Sequence, residues 1–184
     1  MRPDKPKPSA RDGDAGLQDA RLLEGLLQWV CRSTTSYEFG KPEADAIARA
    51  LTKKHRLTYA MSRPDIYYRA FVVSLPFDDN GVSCRENEAT MLMYVHFSVR
   101  GPFYAVTHSQ RMLHADEVPQ SWRELSESDP VPTKIVELRG EFAMTLRRHG
   151  FVEIERRYHQ IPIVDGARPL FGGEPTVWTT LFSE

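Results

Sequence analysis

Six histidines and two cysteines are the side chains most able to do chemistry in this chain of 184 residues. His96 and His108 flank the turn signal Arg100-Gly101-Pro102, and His114 follows six residues later. Three imidazoles drawn to one point would suit zinc. The chain has neither an HExxH nor a CxxC pattern to enforce that convergence, so surface or half-buried histidines are expected and no metal is assigned. Cys31 and Cys84 show neither metal spacing nor a disulfide framework. Cys31 falls on a predicted helix beside Trp29 and Val30 and is expected to be buried, and Cys84 sits in a polar loop with no nearby base in the sequence to raise its thiolate fraction. Ser109 adjoins His108, but neighbours along a strand point to opposite faces. Neither a GxSxG elbow nor a GxxxxGK[ST] phosphate loop occurs. Asp78-Asp79-Asn80-Gly81 has calcium-loop residue types without the remaining ligands at fixed spacing, and turn chemistry explains it. No catalytic residue and no cofactor are therefore assigned.

Charge offers two further surfaces. Arg147, Arg148, Arg156, Arg157 and Tyr158 would form a basic, aromatic patch of the kind that binds single-stranded nucleic acid. Glu153 and Glu155 interleave with them and the whole chain carries a net charge of −1, so a salt-bridged surface is expected and nucleic acid is not the anticipated partner. Lys53, Lys54 and His55 end a predicted helix, where positive charge complements the helix dipole. The acidic side is more suggestive. Asp116, Glu117, Glu124 and Glu127 surround Trp122 in a long connection, Arg111–Pro132. An aromatic anchor among carboxylates suits capture of a basic protein partner. Asp116, Glu117, Trp122, Glu124 and Glu127 are thus the candidate partner-binding residues. Core closure by Trp122, with the acids keeping the loop soluble, is the competing account.

These residues need a scaffold, and its centre is Thr90–Gln110. Met91, Met93, Val95, Phe97 and Val99 share one strand parity, and Leu92, Tyr94, His96, Ser98 and Arg100 the other. The first set predicts an apolar face. A hairpin then returns through Phe103–Thr107. Ile66–Leu75 reads as a strand with two mixed faces, ended by Pro76, and Leu57–Met61 as a short one. Helices are predicted over Leu17–Arg32, over Pro42–His55 from its Ala44, Ile47, Ala48, Leu51 stripe, and from Thr133 as N-cap to His149 from Ile135, Leu138, Phe142 and Leu146. Trp122 and Leu125 are expected to anchor a short helix. Gly150 is placed for a left-handed C-cap, with Phe151 against Leu146. Phe151–Glu155 starts a strand, with strand character continuing from Tyr158 to Val164, and Thr176–Phe182 is the expected closing strand.

Met1–Gly16 is rich in proline and charge and is expected to be a flexible tail, leaving residues 17–184 as a single domain. At 41% hydrophobic and 27% charged, that domain has the balance of a folded core. The element order predicts an α+β fold with about three helices on a largely antiparallel sheet. No apolar run reaches the roughly 18 residues of a membrane span and no signal-peptide core is present, so a cytoplasmic protein is expected. In size, lack of motifs and mixed helix–sheet order, the chain resembles the small immunity proteins of bacterial toxin systems. That resemblance implies a non-enzymatic protein-binding module, with inhibition of a toxin as its specific form. The alternative is a small hydrolase or small-ligand-binding protein with its site at the central sheet.

Overall fold

The structure is a computed structural model and describes residues 25, 41–62, 70–112, 121–163 and 173–182. By compactness the chain divides into Met1–Thr34 and Thr35–Glu184. Everything below concerns the second unit. The expected tail Met1–Gly16 lies outside the described residues, and so does the helix Leu17–Arg32 apart from Gly25.

The elements are α1 (Lys41–His55), β1 (Ala60–Ser62), β2 (Ala70–Phe77), β3 (Met91–Ser98), β4 (Phe103–Met112), β5 (Ser121–Glu124), α2 (Thr133–Arg148), β6 (Val152–Glu153), α3 (Arg156–His159) and α4 (Val177–Leu181). The strands run β1-β2-β3-β4-β5 in antiparallel order, and β6 joins β4 in parallel. This is the expected α+β fold with a largely antiparallel sheet. Its centre is the anticipated hairpin, in which Val95 faces Val106 and His96 faces Ala105.

Strand parity explains the layers. Met91, Met93, Val95 and Phe97 join Ile47 and Leu51 of α1 and Ile135, Phe142 and Leu146 of α2 in one buried cluster. Burying apolar side chains of this size contributes about 1.5–3 kcal/mol each. The other face of β3 is buried too: Leu92, His96 and Ser98 are closed off. The C-terminal segment covers it. Ser98 donates its hydroxyl to the Leu181 carbonyl at 2.7 Å, and the Trp178 and Phe182 rings lie 5.0 and 6.3 Å from that of His96. α2 ends as its composition predicts. Gly150 has φ +82°, and the Phe151 N–H reaches back to the Leu146 carbonyl at 3.0 Å.

Several expectations are corrected. Thr176–Phe182 is not a strand but helix α4 entered through a capping box, with Thr176 and Thr179 exchanging side-chain and backbone hydrogen bonds. Strand character does not run on from Tyr158, since Arg156–His159 turns as α3 and β6 stops at Glu153. Trp122 lies on strand β5 and not on a helix, because Ser121–Glu124 pairs with Ser109–Met112. Thr133 is the first residue of α2, whose N-cap is Pro132. Pro76 does not end β2 but lies within it opposite Leu92. Its carbonyl accepts the Cys84 N–H at 3.2 Å on the edge away from β3, so its missing N–H is lost to that short bridge and not to the β2–β3 ladder.

Candidate functional site

β4 carries two strands along one edge. At one end β5 docks, and the Leu125 N–H donates to the His108 carbonyl at 2.8 Å. At the other end β6 docks, and the Ile154 N–H donates to the Tyr104 carbonyl at 2.8 Å. Backbone groups alternate along a strand, so the N–H and C=O of Val106 face the same edge between these two bonds. A cavity of about 230 Å³ opens at this split. Val106, Leu125, Val131, Val136 and Ile154 make its walls apolar. Its polar groups are His108, Arg139, Arg156 and the carboxylates of Glu127, Asp129, Glu153 and Glu155, with the Ser126 hydroxyl beside them.

His108 is the distinctive group. Its Nε2 is buried and has no hydrogen-bond partner among the described residues. Burial lowers its pKa to about 4, and the nearby Arg139 and Arg156 charges push the same way. The imidazole is therefore neutral near pH 7. Arg139 Nη2 donates to Glu153 Oε1 at 3.1 Å, and Glu153 also accepts from Arg147 at 3.0 Å and from the Tyr104 hydroxyl at 3.1 Å. These bonds fix Arg139 at the cavity and tie α2 to β6 and β4. Burial, then the Glu153 charge, raise the Tyr104 pKa well above its ordinary value. Arg156 crosses the split, giving one donor to the Leu125 carbonyl and lying 3.1 Å from Glu124. Asp129 is held by Ser126 and Arg123, which lower its pKa, and Glu155 faces Arg157 at 3.1 Å. Glu127 is exposed and has no ion pair among the described residues.

Of the expected partner-binding residues, Asp116 and Glu117 lie outside the described residues. Trp122 and Glu124 lie on β5, and Glu127, three residues on, lines the cavity. Trp122 is half-buried, takes no place in the core cluster, and carries the Arg111 guanidinium 5.4 Å from its ring centroid. Glu124 shares its face two residues on. Leu125, by contrast, is a core residue.

His96 and His108 do not converge. His96 faces Ala105 and His108 faces Met93, which puts the two imidazoles on opposite faces. His114 lies outside the described residues, and among those described no group of three His, Cys, Asp or Glu side chains is arranged to hold a metal ion. Cys31 is likewise outside them; Cys84 is half-exposed, and burial followed by the Asp78 and Glu88 charges raises its thiol pKa. The Asp78 carboxylate accepts the N–H groups of Asn80 and Val82, both at 2.9 Å, as turn chemistry requires. The basic stretch is largely ion-paired through Arg147, Arg156 and Arg157. Lys54 and His55 meet Glu141 of α2, at 2.6 and 2.8 Å, and so join the two long helices. Among the described residues, no helix is long and apolar enough to cross a membrane.

Sequence reasoning singled out Glu127 but not the His108, Arg139 and Arg156 cavity. His108, Arg156, Glu153 and Glu155 each figure there in other roles, and no pattern in the sequence joins them with Arg139 in one cavity. No protein-family model matches the chain, and no curated protein or solved structure matches it either.

Proposed function

We propose that this protein is a protein-binding module that captures a basic partner at the β5 end of its sheet. The observation that carries the reading is the position of Trp122. It sits on a terminal strand of the described sheet, half-buried and outside the core cluster, with exposed Glu124 on its face and exposed Glu127 just beyond. A tryptophan so placed offers a large contact area with few rotatable bonds. The edge of a terminal strand is a template for an extended segment of another chain. The carboxylates would select and accelerate a basic one. Inhibition of a toxin in the manner of an immunity protein is the specific form of this function.

The test is affinity capture followed by association kinetics on the captured protein. Glu124→Lys with Glu127→Lys should slow association and flatten its dependence on salt. Trp122→Ala should leave the fold in place and speed dissociation. A partner whose rates ignore all three substitutions at low salt does not dock here, and the reading falls. The cavity favours a second reading, a small-ligand-binding protein with its site on the central sheet. A hydrolase fits it less well, because the Ser126 hydroxyl bonds Asp129 at 2.8 Å and not His108.

A further inference from the structure

We propose that the cavity at the split edge of β4 binds a small zwitterion, one carboxylate and one ammonium group on a short aliphatic frame, of which an α-amino acid is the type. The inference goes beyond partner capture at Trp122 and does not depend on it. Its grounds are the sign and placement of the cavity's polar groups. Around His108 the field is positive, since Arg139 and Arg156 both disfavour its protonation. A guanidinium has five N–H donors. Among the described residues, Arg139 commits one nitrogen to Glu153, and Arg156 commits two, to Leu125 and Glu124. Donors remain on both. The unpartnered Nε2 of His108, in its protonated tautomer, adds a third source of N–H for a carboxylate.

The lining as a whole has the opposite balance, four carboxylates against two guanidinium groups. Glu127 is the one of the four without an ion pair among the described residues. A simple anion would satisfy the donors and be repelled by Glu127, the one carboxylate left without a counter-charge among the described residues. A simple cation would pair with Glu127 and be repelled by the guanidinium groups. A ligand with both charges meets each. Size restricts the frame: the cavity holds about 230 Å³, below the roughly 300–1,000 Å³ of sites for drug-sized ligands. Val106, Val131 and Val136 make the walls suit carbon chain better than further polar groups.

Three probes separate the possibilities. L-norvaline carries both charges; n-butylamine and pentanoate keep its carbon frame with one charge each. Each is titrated into the full chain at millimolar concentration while backbone amides are followed by NMR. Norvaline should shift the amides of Val106, His108, Leu125 and Ile154, and bind at least about tenfold, or about 1.4 kcal/mol, more tightly than either analogue. Glu127→Gln and His108→Leu should each weaken norvaline by a similar factor, and Glu127→Gln alone should bring the affinity for pentanoate closer to that for norvaline. Equal binding of norvaline and either analogue overturns the zwitterion and leaves a ligand cavity. Absence of cavity shifts with all three overturns the zwitterion and the small-ligand reading together. Partner capture at Trp122 is judged separately, by association rates, so its failure and this one are distinguishable.

Discussion

His96 and His108 stand on opposite faces of one hairpin because His96 is registered with Ala105 and His108 with Met93. Each is neutral for the same leading cause, removal from water, which lowers the pKa of His96 to about 3 and of His108 to about 4. Their surroundings differ in kind. His96 hydrogen bonds Thr107 Oγ1 at 3.0 Å and is closed in by Trp178 and Phe182. His159 adds repulsion to its protonation, and the His159 ring stacks 4.5 Å from that of Trp178. His108 opens on a cavity among arginines and carboxylates; each ring keeps one buried nitrogen without a partner among the described residues, Nδ1 of His96 and Nε2 of His108. A depressed histidine pKa alone therefore does not mark a site. Burial produced both shifts, and the space and charges around the ring separate a core histidine from one that can meet a ligand.

Unpacking the His96 side should cost the most stability. Phe182 is fully buried against Trp178 at 4.9 Å and His96 at 6.3 Å. Phe182→Ala should lower unfolding stability by about 3–5 kcal/mol in urea denaturation. A loss under about 1 kcal/mol would show that α4 is not part of the core and that His96 is not sealed.

Acid acts on both rings. The unfolded chain protonates histidine near pH 6.5, whereas the folded chain holds His96 and His108 neutral to about 3 and 4. Between those limits the unfolded state binds more protons. Stability from these groups is thus fully present above about pH 6.5 and declines as pH falls, by up to about 1.4 kcal/mol per pH unit for each imidazole. Around His96 the facing groups are Tyr94, Thr107, His159, Trp178 and Phe182, and His159, also lowered, adds slope of the same sign. Facing His108 are Arg139 and Arg156. Carboxylates titrate mainly below about pH 5, so the interval from about 5 to 6.5 reports the histidines. His96→Leu should remove about one imidazole's share of that slope; an unchanged slope would mean His96 is already protonated in the fold.

Much of this fold was legible in the chain. The alternation Met91, Met93, Val95, Phe97 and the turn Arg100-Gly101-Pro102 identify the hairpin, and the Ile135, Leu138, Phe142, Leu146 stripe with Gly150 identifies α2 and its end. Thr176–Phe182 misleads because its β-branched and aromatic residues favour strands, while the Thr176–Thr179 box and burial on the sheet made it a helix. Trp122 misleads through its distance in sequence from β4, whose pairing decides its state. The cavity had no motif to betray it. His108, Arg139 and Arg156 come from β4, α2 and α3, and only the split edge of β4 assembles them. Local patterning records periodicity; it does not record which distant strands share an edge.

Leucine at each of the two histidines should act in different directions. His96→Leu removes the partner of the Thr107 hydroxyl, in a residue only 8% exposed, together with a buried Nδ1 that had no partner among the described residues. Leaving the hydroxyl unsatisfied costs about 1–3 kcal/mol at pH 7, offset in part by removal of the unpartnered Nδ1, so a net loss is expected. His108→Leu removes a buried nitrogen that had no partner to lose. Replacing such a group by an apolar one is near neutral or stabilising, so the change should fall within about 0.5 kcal/mol of zero or on the stabilising side. If both hold, the chain retains at position 108 a polar ring that its own stability does not require, which is the expected trade between stability and function at a binding site. A large loss from His108→Leu, comparable to that from His96→Leu, would make His108 a structural residue and remove the contrast between the two faces of the hairpin.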